Sequence, residues 1–161
     1  MNQKEKIKEL IGDNRVGMFV TQDNGKLFSR PIAHADVDDE NNVWFFTDIN
    51  SEKIQDIINN KQVNFSFANH SDNAYISLSG VAEMINDASI IEEKWTFFMK
   101  AWFPEGKEAD RLTLIKVIPD SVQYWDGSSS KIILLYDMAK ALLTGKSYTD
   151  VADTDNNIVT Y

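Results

Sequence analysis

The sequence predicts a mainly β protein, an antiparallel barrel with a few helices over its ends, on three observations. Short apolar runs recur between polar turns, Asn24-Gly25 joins two of them as a two-residue hairpin turn, and helical periodicity is confined to brief stretches. Strands at short spacing with few helices between them favour an antiparallel barrel over alternating βαβ units.

Glu5 to Ile11 sets Ile7, Leu10 and Ile11 at helical spacing among charges, a short amphipathic helix ending at Gly12 and suited to plugging a barrel end. Val16 to Thr21 reads as a strand, Asp23-Asn24-Gly25-Lys26 turns it, and Leu27 to Ala35 returns as a second. The polar run Asp36 to Asn42 leads into the aromatic third strand Val43-Trp44-Phe45-Phe46-Thr47. Ser51 is placed to cap a helix through Asn59 whose buried stripe is Ile54, Ile57 and Ile58.

Gln62 to Ala68 and Ala74 to Ile85 are further strands, the second alternating Ile76 and Leu78 with Ser77 and Ser79 so that one face is wet. Asp87 caps a helix through about Lys100, with Ile90, Ile91, Trp95 and Phe98 on it, which Trp102-Phe103-Pro104-Glu105-Gly106 breaks. Two strands, Leu112 to Val117 and Ser121 to Trp125, and a helical stretch around Ile132 to Leu143 complete the pattern. Residues 1–145 read as a single domain and 146–161 as a polar, acidic, loosely ordered tail.

Composition narrows the chemistry. Sixteen basic against twenty-five acidic residues give a net charge of −9, which argues against a nucleic-acid surface. No run reaches the roughly 18 apolar residues of a membrane span, and the charged start Met1-Asn2-Gln3-Lys4-Glu5-Lys6 is unlike a secretory signal, so a cytoplasmic protein is expected. Cysteine is absent, which removes disulfides, thiolate metal sites and thiol nucleophiles. His34 and His70 are the only histidines and lie at no metal-binding spacing, and the serines at 77, 79 and 128–130 have no nucleophile-elbow context; neither a metal centre nor a catalytic nucleophile is indicated.

Against that acidic background single cations stand out. Arg30, one of three arginines, lies in a half-buried strand just before Pro31, and two readings stay open: an ion pair with one of the many acids, or a guanidinium that grips a phosphate. Lys53 sits in the first turn of the second helix beside Ser51 and near Thr47, where a helix start favours anions and a lone cation is mildly unfavourable. The aromatic clusters are core material, except that Trp102-Phe103 at a helix end is suited to a partner surface or to stacking on a planar ligand.

Ser29-Arg30-Pro31-Ile32, Val43-Trp44-Phe45-Phe46-Thr47, Ser51, Lys53, Tyr75-Ile76-Ser77-Leu78-Ser79-Gly80, Trp95, Trp102-Phe103-Pro104-Glu105-Gly106 and Tyr124-Trp125-Asp126 follow one another in a telling order. That series, over roughly residues 5–145, resembles the general stress protein branch of the pyridoxamine-phosphate-oxidase-like flavin-binding split barrels. The resemblance implies a six-stranded antiparallel split β-barrel and a homodimer with flavin mononucleotide at the interface, the adenine dinucleotide form also being admitted. It implies a phosphate held by Arg30, Ser51 and Lys53, with Ser29 in the same segment, a ring lined by Pro31, Ile32, Phe46 and Thr47, and Trp102 contributed by the other subunit.

Departures refine that expectation. Glu52 stands where true pyridoxamine-phosphate oxidases carry an Arg, about Ala35 where they carry a Lys, and Tyr75 where they carry a Gln. No arginine follows Arg111 and no histidine follows His70, so their substrate-binding pair is missing. The expected function is a flavin-binding, stress-type protein, either an oxidoreductase of unassigned substrate or a non-catalytic binding or sensing module. A dimeric interaction domain without cofactor is the remaining alternative.

Overall fold

The chain's fold follows from one pleated sheet whose two faces bury different cores. The computed structural model describes residues 2–126, 139–140, 142–145 and 156–161. Helix α1 (Gln3–Gly12) opens with a capping box: the Asn2 side chain accepts from the Glu5 amide and the Glu5 carboxylate accepts from the Asn2 amide. Its Ile7, Leu10 and Ile11 enter the main core.

Strands β1 (Val16–Asp23) and β2 (Lys26–Ala33) form the expected hairpin. Asn24 and Gly25 take φ of 47° and 79°, the left-handed pair a primed turn demands and Asn-Gly tolerates. Then come β3 (Asp36–Val37), β4 (Val43–Asp48), helix α2 (Glu52–Asn59), β5 (Gln62–Asn69) and β6 (Ala74–Ile85). Helix α3 (Ala88–Lys94), a 3-10 turn (Phe97–Ala101), β7 (Leu112–Asp126) and β8 (Asn156–Thr160) complete the described elements.

The strands run β2-β1-β5-β6-β7-β4-β3, all pairs antiparallel, with β8 beside the second half of β7. The sheet has eight strands where six were expected, and six of the eight are long. The other two are β3, a two-residue bridge to β4 inside the run read as a turn, and β8, formed by residues of the segment read as a tail. The sheet curls without closing: among the described residues no pairing joins β2 to β3.

β4 explains the two cores. Val43 and Phe45 point into the main one, where Phe19, Phe45 and Phe65 meet edge to face with centroids 4.9–5.8 Å apart. Trp44 and Phe46 point the other way, onto Met99, Phe103, Leu112 and Leu114 beneath α3 and the 3-10 turn. β4 is thus buried on both faces, and its end carries the residues of interest.

Three sequence expectations change. The two strands expected at 112–117 and 121–125 are one, because Pro119, which has no amide to donate, falls at a register shift opposite Gly80 where the ladder is already interrupted. The approach there is so close that a Cβ on Gly80 would stand 2.0 Å from the Ile118 carbonyl oxygen. The single helix expected from Asp87 to Lys100 splits at Trp95, whose backbone turns extended, so Phe98 is exposed rather than buried. On α2 the buried stripe is Ile54, Asp56 and Ile57, and Ile58 is 56% exposed. The helical stretch expected at Ile132 to Leu143 falls mostly outside the described residues; 139–140 and 142–143 are helical.

Candidate functional site

The end of β4, the end of β2 and the 3-10 turn enclose a cleft of about 310 Å³, which is the lower range of small-molecule sites. Pro31, Ile32, Phe46, Thr47, Lys53 and Trp102 all line it, drawn from four separate stretches of sequence. Sheet register explains part of this: Phe46 and Thr47 pair with Leu114 and Thr113, which holds the end of β4 against β7, while Ala35 donates to Trp44 and draws the end of β2 alongside.

One wall is polar. Lys53 Nζ donates to Thr47 Oγ1 at 2.9 Å, and Ser51 Oγ stands 3.5 Å from the same oxygen. Ser51 occupies the N-cap of α2 with extended backbone, yet its hydroxyl makes no capping hydrogen bond. The end of β4 and the head of α2 thus bring two hydroxyls and an ammonium together beside a helix start, an arrangement suited to an anion. Burial, and then the nearby Arg30 guanidinium, hold the Lys53 ammonium below its ordinary pKa of 10.5; Asp48 and Glu52 pull the other way without reversing it.

Arg30 reaches this wall from β2 but does not line the cleft. Its NH1 donates to Thr21 Oγ1 at 2.7 Å and its NH2 lies 3.5 Å from Asp56 Oδ2. The ion-pair reading of the sequence is therefore present in the structure, and the charge still acts on Lys53. Ser29 lies on an exposed part of β2 opposite Val20, away from the cleft lining. Trp102, expected as a contact from the other subunit, is on the cleft of its own chain and 57% exposed.

Of the opposite wall only Phe103, beside Trp102, was legible in the sequence. Met99, Phe103 and Arg111 belong to it, with Asp48 at the end of β4. Arg111 donates to Asp48 at 3.0 Å, to both Glu105 carboxylate oxygens at 3.1 and 3.2 Å, and to the Trp102 carbonyl, and stacks over the Phe103 ring at 4.8 Å. It staples the loop after the 3-10 turn to β4. The one available signal was its rarity, as one of three arginines in an acidic chain.

No helix among the described residues is long and apolar enough to cross a membrane, and no group of three or more metal-ligating side chains occurs among them.

Comparisons with known proteins agree with the fold. The family model described as pyridoxamine 5'-phosphate oxidase like matches residues 2–149. General stress protein 26 of Bacillus subtilis is 25% identical over 129 residues, 76% of this chain and 90% of that protein. The crystal structure of the general stress protein 26 from Bacillus anthracis superposes with a TM-score of 0.69 at 31% identity, covering 77% of this chain and 94% of that one. The general stress FMN/FAD binding protein of Xanthomonas citri superposes with a TM-score of 0.69 at 23% identity, over 80% and 90% of the two chains. The chain belongs to the pyridoxamine 5'-phosphate oxidase-like family, in its general stress protein branch.

Proposed function

We propose that this protein binds flavin mononucleotide in the cleft, with the phosphate at the head of α2 and the ring along Pro31, Ile32, Phe46 and Thr47 toward Trp102. The observation that carries the reading is Lys53. It is a half-buried ammonium whose hydrogen-bond partner is the neutral Thr47 hydroxyl and whose neighbour Arg30 repels it, in a chain with acids to spare. A desolvated pair of cations without a full complement of carboxylates is stabilised by an anion between them. The FMN/FAD binding named for the Xanthomonas citri relative supports the same choice.

The residues divide the work by chemistry. Lys53, Thr47 and Ser51 bind and orient the anion, Arg30 adds charge from behind, and Phe46, Met99 and Phe103 exclude water from the ring's edge. When bound, the flavin supplies the redox chemistry, so no acid or base from the chain is required for it. Glu52 and Ala35 leave the phosphate end less positive than in pyridoxamine-phosphate oxidases, which directs the reading away from that vitamin substrate.

Phe97, Phe98 and Trp102 stand exposed on one turn beside the cleft mouth, an apolar rim that a second copy would cover, and a homodimer is part of the proposal. Sedimentation at micromolar protein is expected to give the dimer mass.

Titration of purified protein with flavin mononucleotide tests the reading. A bound yellow chromophore with a shifted visible spectrum is the expected result, and absence of binding at micromolar protein overturns it. Anaerobic addition of NADPH or NADH then separates an oxidoreductase, whose bound flavin bleaches, from a binding module, whose flavin stays oxidised.

A further inference from the structure

Asp56 occupies a position that helix periodicity ordinarily gives to an apolar residue. It lies on the buried face of α2 beside Ile54 and Ile57, three residues after Lys53. A carboxylate there is costly unless it is paired. Its partners are Thr21 of β1, 1% exposed, whose hydroxyl donates to Asp56 Oδ2 at 2.5 Å, and Arg30 of β2.

The order of these contacts is informative. The Thr21 oxygen accepts from Arg30 NH1 at 2.7 Å while its proton goes to Asp56, so the hydroxyl is lodged between guanidinium and carboxylate. The direct Arg30–Asp56 separation is 3.5 Å, looser than the ~2.7–2.9 Å of a closed charge-assisted bond, and involves one nitrogen rather than a fork. The side chains are 23% and 12% exposed, so the pair is neither solvated nor sealed. Arginine has five N–H donors, and beyond these two contacts the others find no acceptor among the described residues.

From this we infer that Thr21 and Asp56 are positioning residues that hold Arg30 in a propped-open ion pair, with Asp56 as a resident counter-charge that an incoming phosphate must outcompete. Thr21 keeps the pair from closing, and Asp56 sets how tightly the phosphate end binds. The inference rests on the flavin reading above and adds to it the residues that regulate its affinity. A purely structural ion pair makes a different prediction, since breaking it would weaken folding and ligand binding together.

The test compares flavin mononucleotide with riboflavin, which has the same ring and no phosphate, by fluorescence titration of the full chain. Asp56→Asn preserves shape and the Thr21 hydrogen bond while removing the charge. It is expected to tighten flavin mononucleotide about tenfold, because the guanidinium is freed of the negative charge that competes with the phosphate, and to leave riboflavin unchanged. Thr21→Val lets Arg30 close onto Asp56 and is expected to weaken flavin mononucleotide about as much, with Thr21→Ser like wild type and the double variant Thr21→Val/Asp56→Asn recovering the loss.

An unmoved ratio of the two affinities in Asp56→Asn, or a weaker one, overturns the inference while wild-type binding keeps the flavin reading. Wild type that binds neither ligand sinks the flavin reading itself. Should Asp56→Asn fail to fold, an unchanged ratio in Thr21→Val alone decides against the inference.

Discussion

Arg30 and Arg111 approach the two ends of the same cleft and are treated very differently by their surroundings. Arg111 is saturated: two carboxylates, a backbone carbonyl and an aromatic face take up its donors and its plane. Arg30 meets one hydroxyl and one carboxylate held at arm's length. Arginine content alone therefore says little about anion binding; what matters is how much of the guanidinium's demand the protein has already met. A satisfied arginine is a fastener and an under-satisfied one is a receptor.

The sharpest way to break that contrast is to remove each in turn. Arg30→Ala is expected to weaken flavin mononucleotide by about 1–3 kcal/mol with riboflavin little affected. Arg111→Ala should leave the ratio of the two ligands unchanged, and equal loss of phosphate dependence in both variants would erase the distinction. Trp102→Ala is expected to cost about 0.5–1.5 kcal/mol for both ligands alike, because a ring contact does not read the phosphate. For Arg111→Ala the effect lies elsewhere: limited proteolysis is expected to cut faster between Trp102 and Arg111, where the loop has lost its staple to Asp48.

A smaller effect distinguishes the charge state at the polar end. Lys53 must be protonated to bind the anion, and its pKa in the free protein lies below the ordinary 10.5. Affinity for flavin mononucleotide is therefore expected to fall as pH rises through a range lower than a solvated lysine would give, while Lys53→Arg holds its affinity across that range.

The smallest expected effect lies away from the cleft, where His34 hydrogen-bonds the Ile11 carbonyl at the end of α1 and burial lowers its pKa from the ordinary 6.5. The folded state favours neutral imidazole, so its contribution is complete above the unfolded-state value and is lost as pH falls through the lowered folded value. Thermal melts of wild type are expected to drop more steeply below about pH 6.5 than those of His34→Gln.

What the sequence disclosed and withheld follows from range. Strand alternation, the Asn24-Gly25 turn and the cap at Asp87 are local physics, and the first hairpin and the start of α3 are found where the residues place them, whereas α1 begins two residues before the expected Glu5, capped by Asn2. The polar wall was also legible, because Thr47, Ser51 and Lys53 lie within seven positions of one another. Asp56 and Thr21 were not: 35 residues separate them, and a carboxylate on a short helix looks solvated until the sheet beneath it is known. The merging of two expected strands at Pro119 was hidden for the same reason, since the bulge that accommodates it depends on Gly80 across the ladder.

β8 carries a consequence for biogenesis. Its pairing with β7 brings the Tyr161 hydroxyl to donate to the side chain of Asn41, 120 residues earlier and itself fully buried with φ of 64°. During synthesis Asn41 leaves the ribosome long before the tyrosine that completes its hydrogen bonding exists. The first hairpin and α1 can collapse early through local contacts, but this corner is sealed only when β8 docks on β7, so it stays an unfinished seam until that long-range contact forms.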